Sequence, residues 1–157
     1  MSTATMQSRM ENPALAVPGA LKALHALAGA AKDQGLPPTT AQLVHLRASQ
    51  INGCSACVEI HAKELRDSGV PDEQIFAVGA WRESPRFSDA ERAALALAEA
   101  ATRLSDRSDP VPDKVWERAT EHYDEQALAA LVIEIASINA WNRINATIHQ
   151  VAMPFSG

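Results

Sequence analysis

Along this chain apolar residues recur every three or four positions, and nowhere do they alternate for more than a few residues. That period marks helices that bury one face, whereas a half-buried strand repeats every two residues. The stretch "PGALKALHALAGAAKDQG" (18–35) follows it and stops at Gly35, a residue suited to the turn that closes a helix. "LPP" (36–38) breaks the chain, and Thr39 or Thr40 is expected to cap a helix through "AQLVHLRASQI" (41–51).

Asn52-Gly53 signals a turn or kink. The next helix is expected to start near Cys54 and run through "CSACVEIHAKELRDS" to Gly69. A short helix follows over 71–81, with Pro71 in its first turn. Ser88 and Glu91 stand at capping-box spacing and open a long alanine-rich helix. Beyond the loop "SDPVPD", "DKVWERATEHY" (113–123) is modestly amphipathic, and Asp124 is placed to cap a long final helix. The pattern therefore predicts an all-α protein of about six or seven helices. One domain covers residues 13–157, and a loose polar arm covers residues 1–12.

Composition narrows the function. A chain of 157 residues, 46% hydrophobic, can bury a real core, and only 4% aromatics with abundant alanine favours close-packed helices over a sandwich. The net charge of -5, without a basic run, lacks the footprint of a nucleic-acid binder or of a chain held on an anionic membrane. No apolar stretch is expected to reach the roughly 20 residues of a membrane span. The opening "MSTATMQSRMENP" has no apolar core of a secretory leader, so the cytoplasm is the expected compartment. In a reducing compartment a C-x-x-C reads as redox or metal chemistry, not as a structural staple.

Both cysteines of the chain, Cys54 and Cys57, lie in "SQINGCSACVEIH", with His61 four residues beyond the second. On a helix the three side chains share one face. Cys54 lies nearest the helix start, where free N–H groups and the dipole favour a thiolate. His61 is one turn from Cys57 and can hydrogen-bond its sulfur or exchange a proton with it. A pair of small core residues would explain the cysteines without chemistry. Zinc would need a fourth ligand beyond Cys54, Cys57 and His61; His45 could supply it, but no second cysteine pair exists and helical ligands at this spacing splay. Dithiol redox chemistry is the preferred reading. A thioredoxin fold, another home for C-x-x-C, needs strands that the pattern lacks.

The segments "LVHLRASQINGCSACVEIHAKELRDSGV", "AVGAWRESPRFSDAERAALALAEAATRLSD" and "INAWNRINATIHQ" resemble the AhpD-like branch of the carboxymuconolactone decarboxylase family. The likeness covers roughly residues 37–150, in the family's order. It implies an all-α fold, assembly as trimers or hexamers, and an antioxidant thiol peroxidase without a bound cofactor. Cys57 would attack a hydroperoxide, Cys54 would resolve the sulfenic acid to a disulfide, and His61 would assist the proton relay. A dithiol or disulfide reductase system would restore the thiols. Local physics alone ranks Cys54 as the better thiolate; the resemblance favours Cys57.

The chain departs from the family pattern in two places. Ser55 and Ala56 stand between the cysteines, where many relatives have an aromatic or a histidine before the second. The family's glutamate twelve residues before the first cysteine is also absent. Gln42 stands there, and an amide cannot act as a general base. Either His45, one turn later, takes over, or peroxide turnover is weak; on this view Gln42→Glu is expected to raise it. The expected catalytic set is Cys54, Cys57, His61, Gln42 and His45. The alternatives are a lactone-processing decarboxylase, which does not depend on the dithiol, and a non-catalytic dithiol redox sensor.

Other residues are read as structural. Trp81 and Trp141 are expected in a core or interface. Asn139, Asn142 and Asn145 fall on one face of the last helix and call for interhelical hydrogen bonds or a subunit contact. Arg143 is a candidate partner for Glu134 or Glu59. Glu59 itself points away from the cysteine stripe.

Overall fold

A computed structural model describes residues 5–153. Eight α-helices make up the fold, and no strand occurs among the described residues. They are α1 (Pro13–Ala16), α2 (Ala20–Ala30), α3 (Pro38–Asn52), α4 (Ser55–Asp67), α5 (Asp72–Ala77), α6 (Asp89–Thr102), α7 (Asp113–Thr120) and α8 (Glu125–Thr147). Two 3-10 helices, Val78–Glu83 and Leu104–Asp106, follow α5 and α6.

Helix α3 is the hub, packed on α4, α6 and α8. Its apolar residues feed two cores. Val44 joins Ala94, Leu97, Leu128, Leu131 and Ile135 on one side. Leu43 and Leu46 join Leu65, Trp81, Phe87 and Leu95 on the other. Each fully buried leucine contributes about 1.5–3 kcal/mol, so α3 is fixed from two directions. That rigidity matters because the cysteines begin where α3 ends.

Several caps follow the sequence. Ser88 and Glu91 form both arms of a capping box on α6, and Asp124 accepts from the Ala127 backbone at the start of α8. Other boundaries differ. Neither Thr39 nor Thr40 caps α3; it begins at Pro38, whose preset φ and missing N–H suit the first helical position. The short α1 was not anticipated, although Asn12 caps it and Pro13 opens it. The helix expected over 71–81 divides, because Ala80 is non-helical and the chain tightens to a 3-10 helix.

Contrary to the sequence expectation, one segment, α8, is long and apolar enough to span a membrane by length and composition. In the fold it is a core helix, and it carries buried Glu134, Asn139, Asn142 and Asn145. Arg9 and Asn12, just before α1, lie beside residues 145–150 at the end of α8. Arg9 N–H donates to the Ile148 carbonyl at 2.8 Å, and Asn12 Nδ2 donates to Asn145 Oδ1 at 2.8 Å and Gln150 Oε1 at 3.1 Å.

Candidate active site

The dithiol is set by how α3 stops. Gly53 adopts φ +67°, a left-handed conformation that costs an L side chain about 1–2 kcal/mol. This turn lets Cys54 N–H bond the Ser49 carbonyl at 3.1 Å and delivers Cys54 to the N-cap of α4. Its Sγ accepts from Cys57 N–H at 3.3 Å. With Cα atoms 5.3 Å apart, Cys54 and Cys57 form a disulfide, and both residues are only 2% exposed. Among the described residues no group of three His, Cys, Asp or Glu side chains is placed to hold a metal ion.

Cys57 Sγ takes its hydrogen bond from Asn145 Nδ2, at 3.4 Å. The sequence suggested His61 for that role; its Nδ1 instead meets Glu64 Oε2 at 2.8 Å. That hydrogen bond holds the Glu64 carboxyl below its usual range, against the opposing effect of partial burial. With Nδ1–H donated to Glu64, the other ring nitrogen of His61 is left as the acceptor. Asn145 was noticed in the sequence as one of three amides; the contact with sulfur was not legible, because it crosses 88 residues of chain.

A second imidazole lies beside the first. The His45 and His61 ring centroids are 5.0 Å apart, and His45 Nε2 meets Glu134 Oε2 at 2.7 Å. Glu134 comes from the middle of α8 and is 6% exposed. The side-chain oxygen of Gln42 is buried and has no hydrogen-bond partner among the described residues. The structure thus brings Cys54, Cys57, His61 and His45 to one region, while Gln42 lines it with a side-chain oxygen unpaired among the described residues. Arg143 pairs with neither Glu134 nor Glu59; it reaches back to Asn139 Oδ1 at 3.1 Å.

Two cavities meet at this region. One, of about 540 Å³, is lined by Cys57, Ile60, His25, Leu15 and Asn145. The other, of about 410 Å³, is lined by Gln42, His45, Glu134 and Ser137. His61, Glu64 and Trp141 belong to both linings and so form the wall between them. His25 was missed in the sequence, since it has no ligand spacing to other histidines.

The asparagines around the dithiol are hydrogen-bonded to one another and to Ser49. Asn52 donates to Asn139 Oδ1 at 3.0 Å and Asn142 Oδ1 at 2.9 Å, and Asn142 donates to Ser49 Oγ at 3.0 Å. These bonds lock α8 against the end of α3 and so fix Asn145 over the sulfur. Trp81 is a core residue; its indole N–H donates to Glu99 Oε1 at 2.9 Å.

The family model described as "Carboxymuconolactone decarboxylase family" matches residues 18–100. The chain belongs to the carboxymuconolactone decarboxylase family. It is 39% identical over 114 residues to the uncharacterized protein YdfG of Bacillus subtilis, covering 73% of this chain and 76% of that one. A crystal structure from Agrobacterium tumefaciens, of a protein of unknown function described as a candidate antioxidant defence protein AhpD, matches with a TM-score of 0.87. It is 34% identical, with 94% of this chain and 99% of that chain covered. Alkyl hydroperoxide reductase AhpD of Methylocella silvestris is 43% identical over 47 residues, 30% of this chain and 26% of that protein. The all-α, AhpD-like fold expected from the sequence is the fold observed.

Proposed function

We propose that this member of the carboxymuconolactone decarboxylase family is a thiol-dependent peroxidase of the AhpD kind. One observation carries the reading: the cavity that opens on Cys57 gives access to a sulfur already bonded to Cys54 and flanked by His61. In the reduced protein Cys57 gives up its proton to the imidazole side and its thiolate attacks the distal oxygen of a hydroperoxide. The O–O bond breaks, the alkoxide takes a proton and leaves as the alcohol, and Cys57 becomes a sulfenic acid. Cys54 then attacks that sulfur; water leaves and the disulfide forms. Two electrons pass from the dithiol to the peroxide, and an external dithiol returns them.

Several features support the assignment of roles. The N-cap position of Cys54 favours its thiolate as the resolving nucleophile. The Asn145 amide donates to Cys57 and would stabilise negative charge there. We extend the proposal to a reducing cytoplasm, a dithiol reductase partner and self-association as a trimer or hexamer. Helix α2 buries no residue fully within one chain, which is consistent with a subunit contact.

The test is titration of the reduced protein with stoichiometric peroxide. Loss of two thiols per peroxide, a mapped Cys54–Cys57 linkage and recycling by an added dithiol are expected. Oxidation without turnover would make the chain a redox sensor. Lactone consumption by a Cys54→Ser, Cys57→Ser variant would make it a decarboxylase and overturn the reading.

A further inference from the structure

The proposed reaction needs somewhere to put the Cys57 proton, and the side chain at position 42 cannot hold it. Its amide has no basic atom, and its buried oxygen binds nothing among the described residues. A different carboxylate lies close by. Glu134 interrupts the apolar middle of α8, where an unpaired buried charge is strongly unfavourable. Its hydrogen-bond and ion-pair partner is His45, across 2.7 Å and 89 residues of chain. The His45 ring faces His61 at 5.0 Å between centroids. His61 in turn is one turn from Cys57.

We infer that Glu134, acting through His45, supplies the carboxylate that this site lacks at position 42. The inference rests on the peroxidase reading for its substrate, but its geometry concerns only the Cys57 proton. The run Glu134–His45–His61 consists of one carboxylate–imidazole hydrogen bond and then two tilted rings 5.0 Å apart between centroids, a gap that one water would bridge. Glu134 orients His45 and balances the positive charge it gains, as a buried carboxylate does for any imidazole that must act as a base. Gln42, His45, Glu134 and His61 all line the 410 Å³ cavity, so a carboxylate placed at position 42 would face the same imidazoles. His61 also holds a second carboxylate, Glu64, directly on Nδ1 at 2.8 Å, but that side chain is 48% exposed and lies outside the buried middle of α8.

A merely structural Glu134–His45 pair would leave the sulfur chemistry indifferent to where the carboxylate is mounted. This separates the two roles. Glu134→Gln keeps the side chain's size and a hydrogen bond to His45 but removes the charge. Two rates are read on the reduced protein at neutral pH: oxidation of the thiols by peroxide in a single turnover, and alkylation of Cys57 by iodoacetamide, mapped by peptide mass. Glu134→Gln is expected to slow both about a hundredfold, the lower end of the range of base assistance. Adding Gln42→Glu to that variant is expected to restore most of the loss.

Rates in Glu134→Gln equal to those of the parent would overturn the inference. So would a loss that the second substitution leaves uncorrected. A parent protein whose Cys57 alkylates quickly but ignores peroxide, with alkylation still sensitive to Glu134 and rescued from position 42, would remove the peroxidase reading and leave the relay standing.

Discussion

Asn145 on α8 donates its side-chain N–H to Cys57 Sγ at 3.4 Å, and both groups are buried. A neutral disulfide sulfur draws little from such a donor; a thiolate draws much more, because hydrogen bonds to charge are the stronger class. The amide therefore favours the reduced, ionised form of the site over the thiol.

Asn145→Ala should accordingly slow alkylation of reduced Cys57 at neutral pH. Loss of one hydrogen bond to a charged group is worth about 1.5 kcal/mol or more, roughly a tenfold fall in rate. Iodoacetamide kinetics, followed by peptide mass, measure it. An unchanged rate would show that Asn145 only packs.

Asn12 has two structural duties. Its Oδ1 accepts from Ala14 N–H at 3.0 Å to cap α1, and its Nδ2 donates to Asn145 and Gln150. Asn12→Ala should cost about 1–2 kcal/mol, in the range of a lost cap. Differential scanning calorimetry should show Tm lower by about 2–8 °C.

Glu99 carries a pH prediction. Burial pushes its carboxyl up, but hydrogen bonds from Arg82, Arg47 and Trp81 outweigh that and hold it below the ordinary value of 4.5. A group whose value is depressed by folding stabilises the fold above its unfolded value, and that contribution disappears as pH falls through the folded value. Glu99→Gln keeps an acceptor oxygen for Arg47 but removes the charge that offsets Arg47 and Arg82, and should cost about 1–3 kcal/mol at neutral pH. In urea unfolding the gap between parent and variant should narrow as pH falls below 4.5.

Tyr123 is the single tyrosine of the chain, so its ionisation can be watched directly in the ultraviolet. Burial pushes its hydroxyl up from 10.0 to about 12, while a hydrogen bond with Thr40 acts in the opposite sense. Folding raises this value, so the contribution is whole below the unfolded value and is lost as pH rises through the folded one. Tyrosinate absorbance should stay low through pH 10 in the folded protein and rise near 12, or earlier if the chain unfolds first.

The parts legible in the sequence were those set within one or two turns. Ser88 with Glu91, Asp124, and Asn52-Gly53 before Cys54 act through neighbours on the same stretch of chain, and each behaves in the fold as its spacing indicated. Pro38 defeated the expected threonine cap because a fixed φ outweighs a side-chain hydrogen bond at the same boundary. Glu134 was read only as a candidate partner for Arg143, because its actual partner, His45, lies on another helix, 89 residues earlier. The contact of Asn145 with sulfur was hidden for the same reason. Periodicity states which face of a helix is buried, not which residue of a second helix it meets.

The wall formed by His61, Glu64 and Trp141 gives the site two sides with different traffic. A bulky molecule lodged against Cys57 would occupy only one compartment and leave the His45 compartment to solvent. An occupant of the first would therefore block the sulfur without desolvating the buried carboxylate behind it, and a ligand fitted to the second could throttle the same sulfur while never touching it.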